Sequence, residues 1–156
     1  MNMESMFRPL ADMERRLSDL YGRFSETFAA DPELGFVFFK MSAEEKGHAS
    51  LVEYQRRMVQ KNHGLSADVE CDLTVVHETL EHIRVLGDSI GTIGAGDAIR
   101  ETLAIEKSAA ESHYRNALKQ ARPELARLLD SLGGEDSLHV SRLEKLAASR
   151  GIDVPA

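Results

Sequence analysis

Apolar residues recur three and four positions apart along almost the whole chain, and no stretch alternates with the two-residue rhythm of a half-buried strand. The first run reads Phe7, Leu10, Glu14, Leu17, Tyr21, Phe24, Phe28 and predicts a helix over about residues 3–29. Asp31-Pro32-Glu33 then supplies an N-cap, a first-turn proline and a first-turn acid. It opens a second helix to about Asn62, with the seam Phe38, Met41, Glu45, His48, Val52, Gln55, Val59. Residues 65–96 are too long for a hairpin connection, and Leu73, Val76, Leu80, Ile83, Leu86, Ile90 predict an extra helix inside them, over about 70–90. That helix is expected to carry the chain back along the others. A glycine-rich stretch follows, and Asp97 is expected to cap a third long helix over about 97–120, with the least bulky seam: Ile99, Leu103, Glu106, Ala110, His113, Ala117. Pro123-Glu124 opens the fourth, with Leu125, Leu129, Leu132, Asp136, His139, Leu143, Leu146, and Gly151 ends it. The expectation is an all-α, single-domain four-helix bundle: a helical hairpin at about 3–62, a crossover helix, and a second hairpin at about 97–150.

The two hairpins read as copies. Pro-Glu-Leu occurs at 32–34 and again at 123–125, and Glu44-Glu45 matches Glu135-Asp136 at the same offset. His48 matches His139, Glu14 matches Glu106, and Tyr21 matches His113. Such a repeat predicts a pseudo-twofold arrangement with one site built between the copies.

Six polar residues interrupt these seams: Glu14, Glu45, His48, Glu106, Asp136 and His139. In each half a glutamate precedes, by 31 or 30 residues, a carboxylate followed three positions later by histidine. Residues three apart share a helix face. An unpaired buried carboxylate costs several kcal/mol, and four together repel. No Lys or Arg stands in any seam to neutralise them. Two metal ions would balance four carboxylates, and oxygen with imidazole and no thiolate suits iron or manganese, with zinc possible.

Composition narrows the rest. The formal net charge of −7 disfavours a phosphate-neutralising surface, so no nucleic-acid partner is expected. No apolar run is long enough for a transmembrane helix, and the first residues lack the apolar core of a signal peptide. Cys71 is the single cysteine, so no internal disulfide forms and a cytoplasmic location is expected. His63, His77 and His82 read as end-of-helix or surface residues.

With these words in place, the chain resembles the ferritin-like superfamily, and within it the rubrerythrin-like di-iron carboxylate proteins. The resemblance covers about residues 7–62 and 97–148 and rests on Met13-Glu14 with Tyr21, Ala43-Glu44-Glu45-Lys-Gly-His48, Ala104-Ile105-Glu106-Lys107 and Glu135-Asp136-Ser-Leu-His139. It implies terminal ligands at Glu14 and Glu106, bridging or single-metal carboxylates at Glu45 and Asp136, one nitrogen each from His48 and His139, and Tyr21 beside the site. His113, about two turns from Glu106, is expected near the site but not on the metal. The chain departs from the pattern in three places. Asp136 replaces the usual Glu. No C-x-x-C pair is present, so the rubredoxin-type domain is missing and an external electron donor is implied. Ala109 stands where rubrerythrins carry a further carboxylate. The resemblance implies a non-haem di-iron oxidoreductase reacting with hydrogen peroxide or O₂. Iron binding with ferroxidase activity, and a scaffold with purely structural metals, are the alternatives. A homodimer is expected, because long amphipathic helices commonly pair.

Overall fold

The computed structural model describes residues 2–62, 68, 70, 72–108, 116, 119 and 122–154; the side chains of 124–126 and 128–137 lie outside that description. His113 and the side chains of Glu135 and Asp136 therefore lie outside the described residues.

The described chain is all-helical: α1 (Met3–Thr27), α2 (Pro32–Lys61), α3 (Thr74–Asp88), α4 (Ala95–Glu106) and α5 (Pro123–Ser149). The starts of α1, α2 and α5 have a local cause. The side chain of Asn2 accepts the Ser5 N–H at 2.8 Å, and that of Asp31 accepts the Leu34 N–H at 3.2 Å. Both satisfy an N–H that the first turn leaves without a helical partner. Pro32 and Pro123 stand where a missing N–H costs nothing. Two expectations need correction. Asp97 does not cap α4: Gly94, in extended conformation, precedes a helix that starts at Ala95, and Asp97 lies in its first turn, 2.8 Å from Arg100. Nor does this helix run unbroken to about residue 120. It stops at Glu106, where the Ser108 N–H turns back to the Ile105 carbonyl at 2.9 Å. Of the rest of the expected span, Asn116 and Lys119 are helical, and residues 109–115, 117, 118 and 120 lie outside the described residues.

α1 and α2 form an antiparallel hairpin. Ser18 and Ser42 exchange hydroxyl-to-carbonyl hydrogen bonds at 2.8 and 2.7 Å, and Ser25 donates to the Gly35 carbonyl at 2.9 Å. Gly35 permits this approach, since a Cβ there would meet the Phe28 carbonyl oxygen at 3.2 Å. α5 runs antiparallel to α2: Arg142 pairs with Glu44 near mid-helix, and Arg150 pairs with Asp31 at the end. α3 runs parallel to α1, with the Arg23 guanidinium on the Gly87 carbonyl at 3.1 Å. It hands the chain to α4, joined to it by His82 and Glu101 at 2.5 Å. The crossover helix thus carries the chain back along α1, the direction its position in sequence requires. No helix among the described residues is long and apolar enough to cross a membrane.

The core positions the site. Phe24 and Phe38 pack with ring centroids 5.0 Å apart, and Tyr21 stands 6.1 Å from Phe38. Phe7, Leu10 and Val52 are buried further along the same two helices. Each such side chain contributes about 1.5–3 kcal/mol when taken from water. Glu14 and Glu45 sit between these apolar layers and are themselves buried.

Candidate metal centre

Five of the six seam residues have described side chains, and all five converge. Glu14 comes from α1, Glu45 and His48 from α2, Glu106 from the last turn of α4, and His139 from α5. They form two overlapping groups that could each hold a metal ion, Glu14–Glu45–His48 and Glu45–Glu106–His139, with ligand atoms in each lying within 4.8 Å of one another. Glu45 belongs to both. Its Oε2 lies 3.2 Å from Nδ1 of His48, and its Oε1 lies 3.2 Å from Nδ1 of His139. The outer carboxylates approach the same nitrogens: Glu14 is 3.6 Å from Nδ1 of His48, and Glu106 is 3.7 Å from Nδ1 of His139. The two imidazoles face each other, ring centroids 6.1 Å apart and planes 23° from parallel. Helical spacing explains the convergence, because Glu45 and His48 lie on one face of α2 and antiparallel α5 brings His139 up opposite them.

The donor chemistry fits a divalent cation. Oε1 of Glu45 is buried, with Nδ1 of His139 near it at 3.2 Å. Both imidazoles turn Nδ1 toward carboxylate oxygen. Carboxylate and imidazole without thiolate favour hard or borderline ions. Glu14, Glu45, His48 and Glu106 could hold such ions together with His139.

The surroundings tune these groups. Tyr21 donates its hydroxyl to Oε1 of Glu106 at 2.6 Å. Burial, then the negative charge of Glu106, push the Tyr21 phenol well above its ordinary value, so it remains a neutral donor. Burial is also the main reason the Glu106 carboxyl is raised, to about 7. For Glu45 burial acts upward, but hydrogen bonds with Glu14, His139 and His48 outweigh it and hold the carboxyl well below the usual range. Burial acts downward on the His139 imidazolium, yet the hydrogen bonds to Glu106 and Glu45 prevail and push it up to about 11. The protons of this cluster belong to it collectively and titrate as coupled groups.

Seam reading misses one pair of residues. Glu44 accepts a hydrogen bond from Nε2 of His139, and Arg142 holds Glu44 through Nη1, 3.1 and 3.3 Å from its two oxygens. A carboxylate on the far nitrogen fixes the ring so that Nδ1 faces the cluster. Glu44 lies one position off the seam. The signal for it is the doubled acid, Glu44-Glu45 matched by Glu135-Asp136 in the repeat. No family model, curated protein or solved structure matches the chain.

Proposed function

We propose that the chain binds two metal ions, with iron the fitting choice and manganese or zinc the substitutes, and acts as a ferritin-like di-iron oxidoreductase on hydrogen peroxide or O₂. The observation that carries this reading is the sharing of buried Glu45 between two three-ligand groups. One carboxylate common to two such groups suits a paired-metal site of the carboxylate-bridged kind. Asp136, matched to Glu45 by the repeat, is the sixth ligand of this reading. Two iron ions, when bound, supply the two electrons that reduce a peroxide to water.

The rest falls to the chain. Glu45 holds the two groups at a fixed separation. Glu44 and Arg142 orient His139, and Tyr21 restrains one oxygen of Glu106 while leaving the other toward His139. Phe24, Phe38 and Leu10 keep bulk water from the carboxylates, which strengthens every charge interaction inside. The reading includes an external electron donor, since the chain carries no second redox motif. It also includes a homodimer; the outer face of α2 leaves Phe36, Phe39 and Tyr54 more than half exposed.

The test is anaerobic loading with Fe²⁺ followed by hydrogen peroxide. About two ions per chain and oxidation on adding peroxide are expected, as two three-ligand groups require. Uptake of one ion or none sinks the proposal.

A further inference from the structure

On the side away from the metal cluster, a groove of about 1010 Å³ runs between α1 and α2. Four charged residues of α1 line it: Arg15, Asp19, Arg23 and Glu26. Spaced four, four and three apart, they form one exposed stripe whose signs alternate. The carboxylates of Asp19 and Glu26 make no ion pair among the described residues. Arg15 lies 3.4 Å from Glu53 and Arg23 donates to the Gly87 carbonyl, each through one nitrogen, which leaves further guanidinium donors.

A stripe that alternates in this way is complementary to itself when reversed. Two copies of α1 laid antiparallel set Arg15 against Glu26 and Asp19 against Arg23. Both pairs are centred on residues 20–21. A parallel arrangement in register would set each charge against its like. A partner of a single sign, such as a nucleic acid or an acidic protein, would match only half of these charges.

α2 points to the same centre. Ser18 lies opposite Ser42 and Ser25 opposite Gly35, positions that add to 60 in both cases, so residues 20–21 of α1 stand level with 39–40 of α2. Phe39 and Phe36 lie there, 62% and 63% exposed. A twofold axis at that level brings Phe39 beside its own counterpart and Phe36 against exposed Ala43. Exposed ion pairs add little to affinity, so burial of the two phenylalanines supplies the attraction and the charges fix direction and register.

We propose that two copies of this chain associate through the outer face of α1 and α2, antiparallel, about a twofold axis passing near Leu20 and Phe39. This rests on the homodimer of the reading above and not on its metal chemistry.

Sedimentation equilibrium of the full chain, metal-free and metal-loaded, tests it. Wild type is expected to dimerise with a dissociation constant of about 10 μM or tighter. Phe39→Arg, at a position already exposed, is expected to weaken the dimer by about thirtyfold or more with helicity and melting temperature unchanged. The register is read by charge reversal. Asp19→Arg and Arg23→Asp each set like charges against each other across the axis, and each alone is expected to weaken the dimer by about tenfold or more. Mixed in equal amounts, the two variants restore opposite charges in both pairs, and a heterodimer near wild-type strength is expected. A monomeric wild type overturns this inference together with the homodimer, whatever its iron uptake. A dimer that neither Phe39→Arg nor the charge reversals weaken overturns the proposed face alone. Variants that stay monomeric when mixed overturn the antiparallel register.

Discussion

Oε1 of Glu45, on α2, and Nδ1 of His139, on α5, lie 3.2 Å apart although 94 positions separate the two residues in sequence. The other oxygen of the same carboxylate stands equally near Nδ1 of His48. Glu45 is thus the hinge of the cluster, and removing it should do more than removing an outer ligand. Glu14→Ala is expected to leave the Glu45–Glu106–His139 group intact, so that metal content falls to about one ion per chain. Glu45→Ala strips a ligand from both groups and is expected to leave well under one. Metal analysis of both variants after identical loading and desalting decides it. Equal losses in the two would mean that Glu45 is not shared.

Glu44 and Arg142 act on His139 from outside the cluster. Glu44→Ala frees the imidazole to rotate, and a loss of about 10- to 100-fold in metal affinity is expected, the usual effect of deleting such a partner. Glu44→Gln keeps an acceptor and should recover part of it. Arg142→Ala leaves the Glu44 contact in place and is expected to cost less than Glu44→Ala. Competition with a coloured chelator measures all three. An affinity unmoved by Glu44→Ala would show that His139 is held by its own helix.

The pattern of this result follows from what the chain displays. Glu14, Glu45, His48, Glu106 and His139 are legible because each breaks a 3–4 apolar rhythm, and the rhythm alone fixes which face they share. Glu44 obeys no rhythm. Its partners lie on a helix 95 and 98 positions away, and only tertiary structure reveals them. The end of α4 at Glu106 is not legible, since the sequence places neither Gly nor Pro between Lys107 and Gln120 to stop a helix. Thr79 is missed for a related reason: Leu80 beside it packs against the core as its seam position predicts, and only tertiary structure shows that Thr79 is buried too.

Proton release should accompany metal binding. Near neutral pH the hydrogen bonds to Glu106 and Glu45 keep His139 protonated, its value raised to about 11. Coordination through Nδ1 must displace that proton. Affinity is therefore expected to weaken as pH falls, by about tenfold per unit for each proton displaced. Loading the protein in weakly buffered solution with a pH indicator counts the protons directly.

The metal-free protein should carry an opposite and separable signature from Glu106. Its folded value of about 7 exceeds the ordinary 4.5, so the folded state holds the proton more tightly than the unfolded chain does. The stability this contributes is fully present below about pH 4.5 and is lost as pH rises toward about 7. Melting curves in chelator across that window are expected to fall more steeply for wild type than for Glu106→Gln, which has no proton to lose. Parallel curves would remove Glu106 as the source.

Tyr21 offers the sharpest separation between holding the fold and holding the metal. Its hydroxyl is buried and donates to Glu106 at 2.6 Å, while its ring packs beside Phe38. Tyr21→Phe keeps the ring and deletes the donor, leaving a buried carboxylate oxygen without that partner. Such a deletion costs about 1–3 kcal/mol. In a chain of this size about 1 kcal/mol moves the melting temperature by about 2–4 °C, so a fall of several degrees is expected in the metal-free protein. Bound metal changes the comparison, because an ion can take up the charge that the phenol leaves. The difference between Tyr21→Phe and wild type is therefore expected to shrink on loading, with ion content per chain unchanged. Melting temperatures with and without metal, on the same preparations, give both numbers. A deficit that persists unchanged in the loaded protein would mean that Tyr21 stabilises the helices and does nothing for the site.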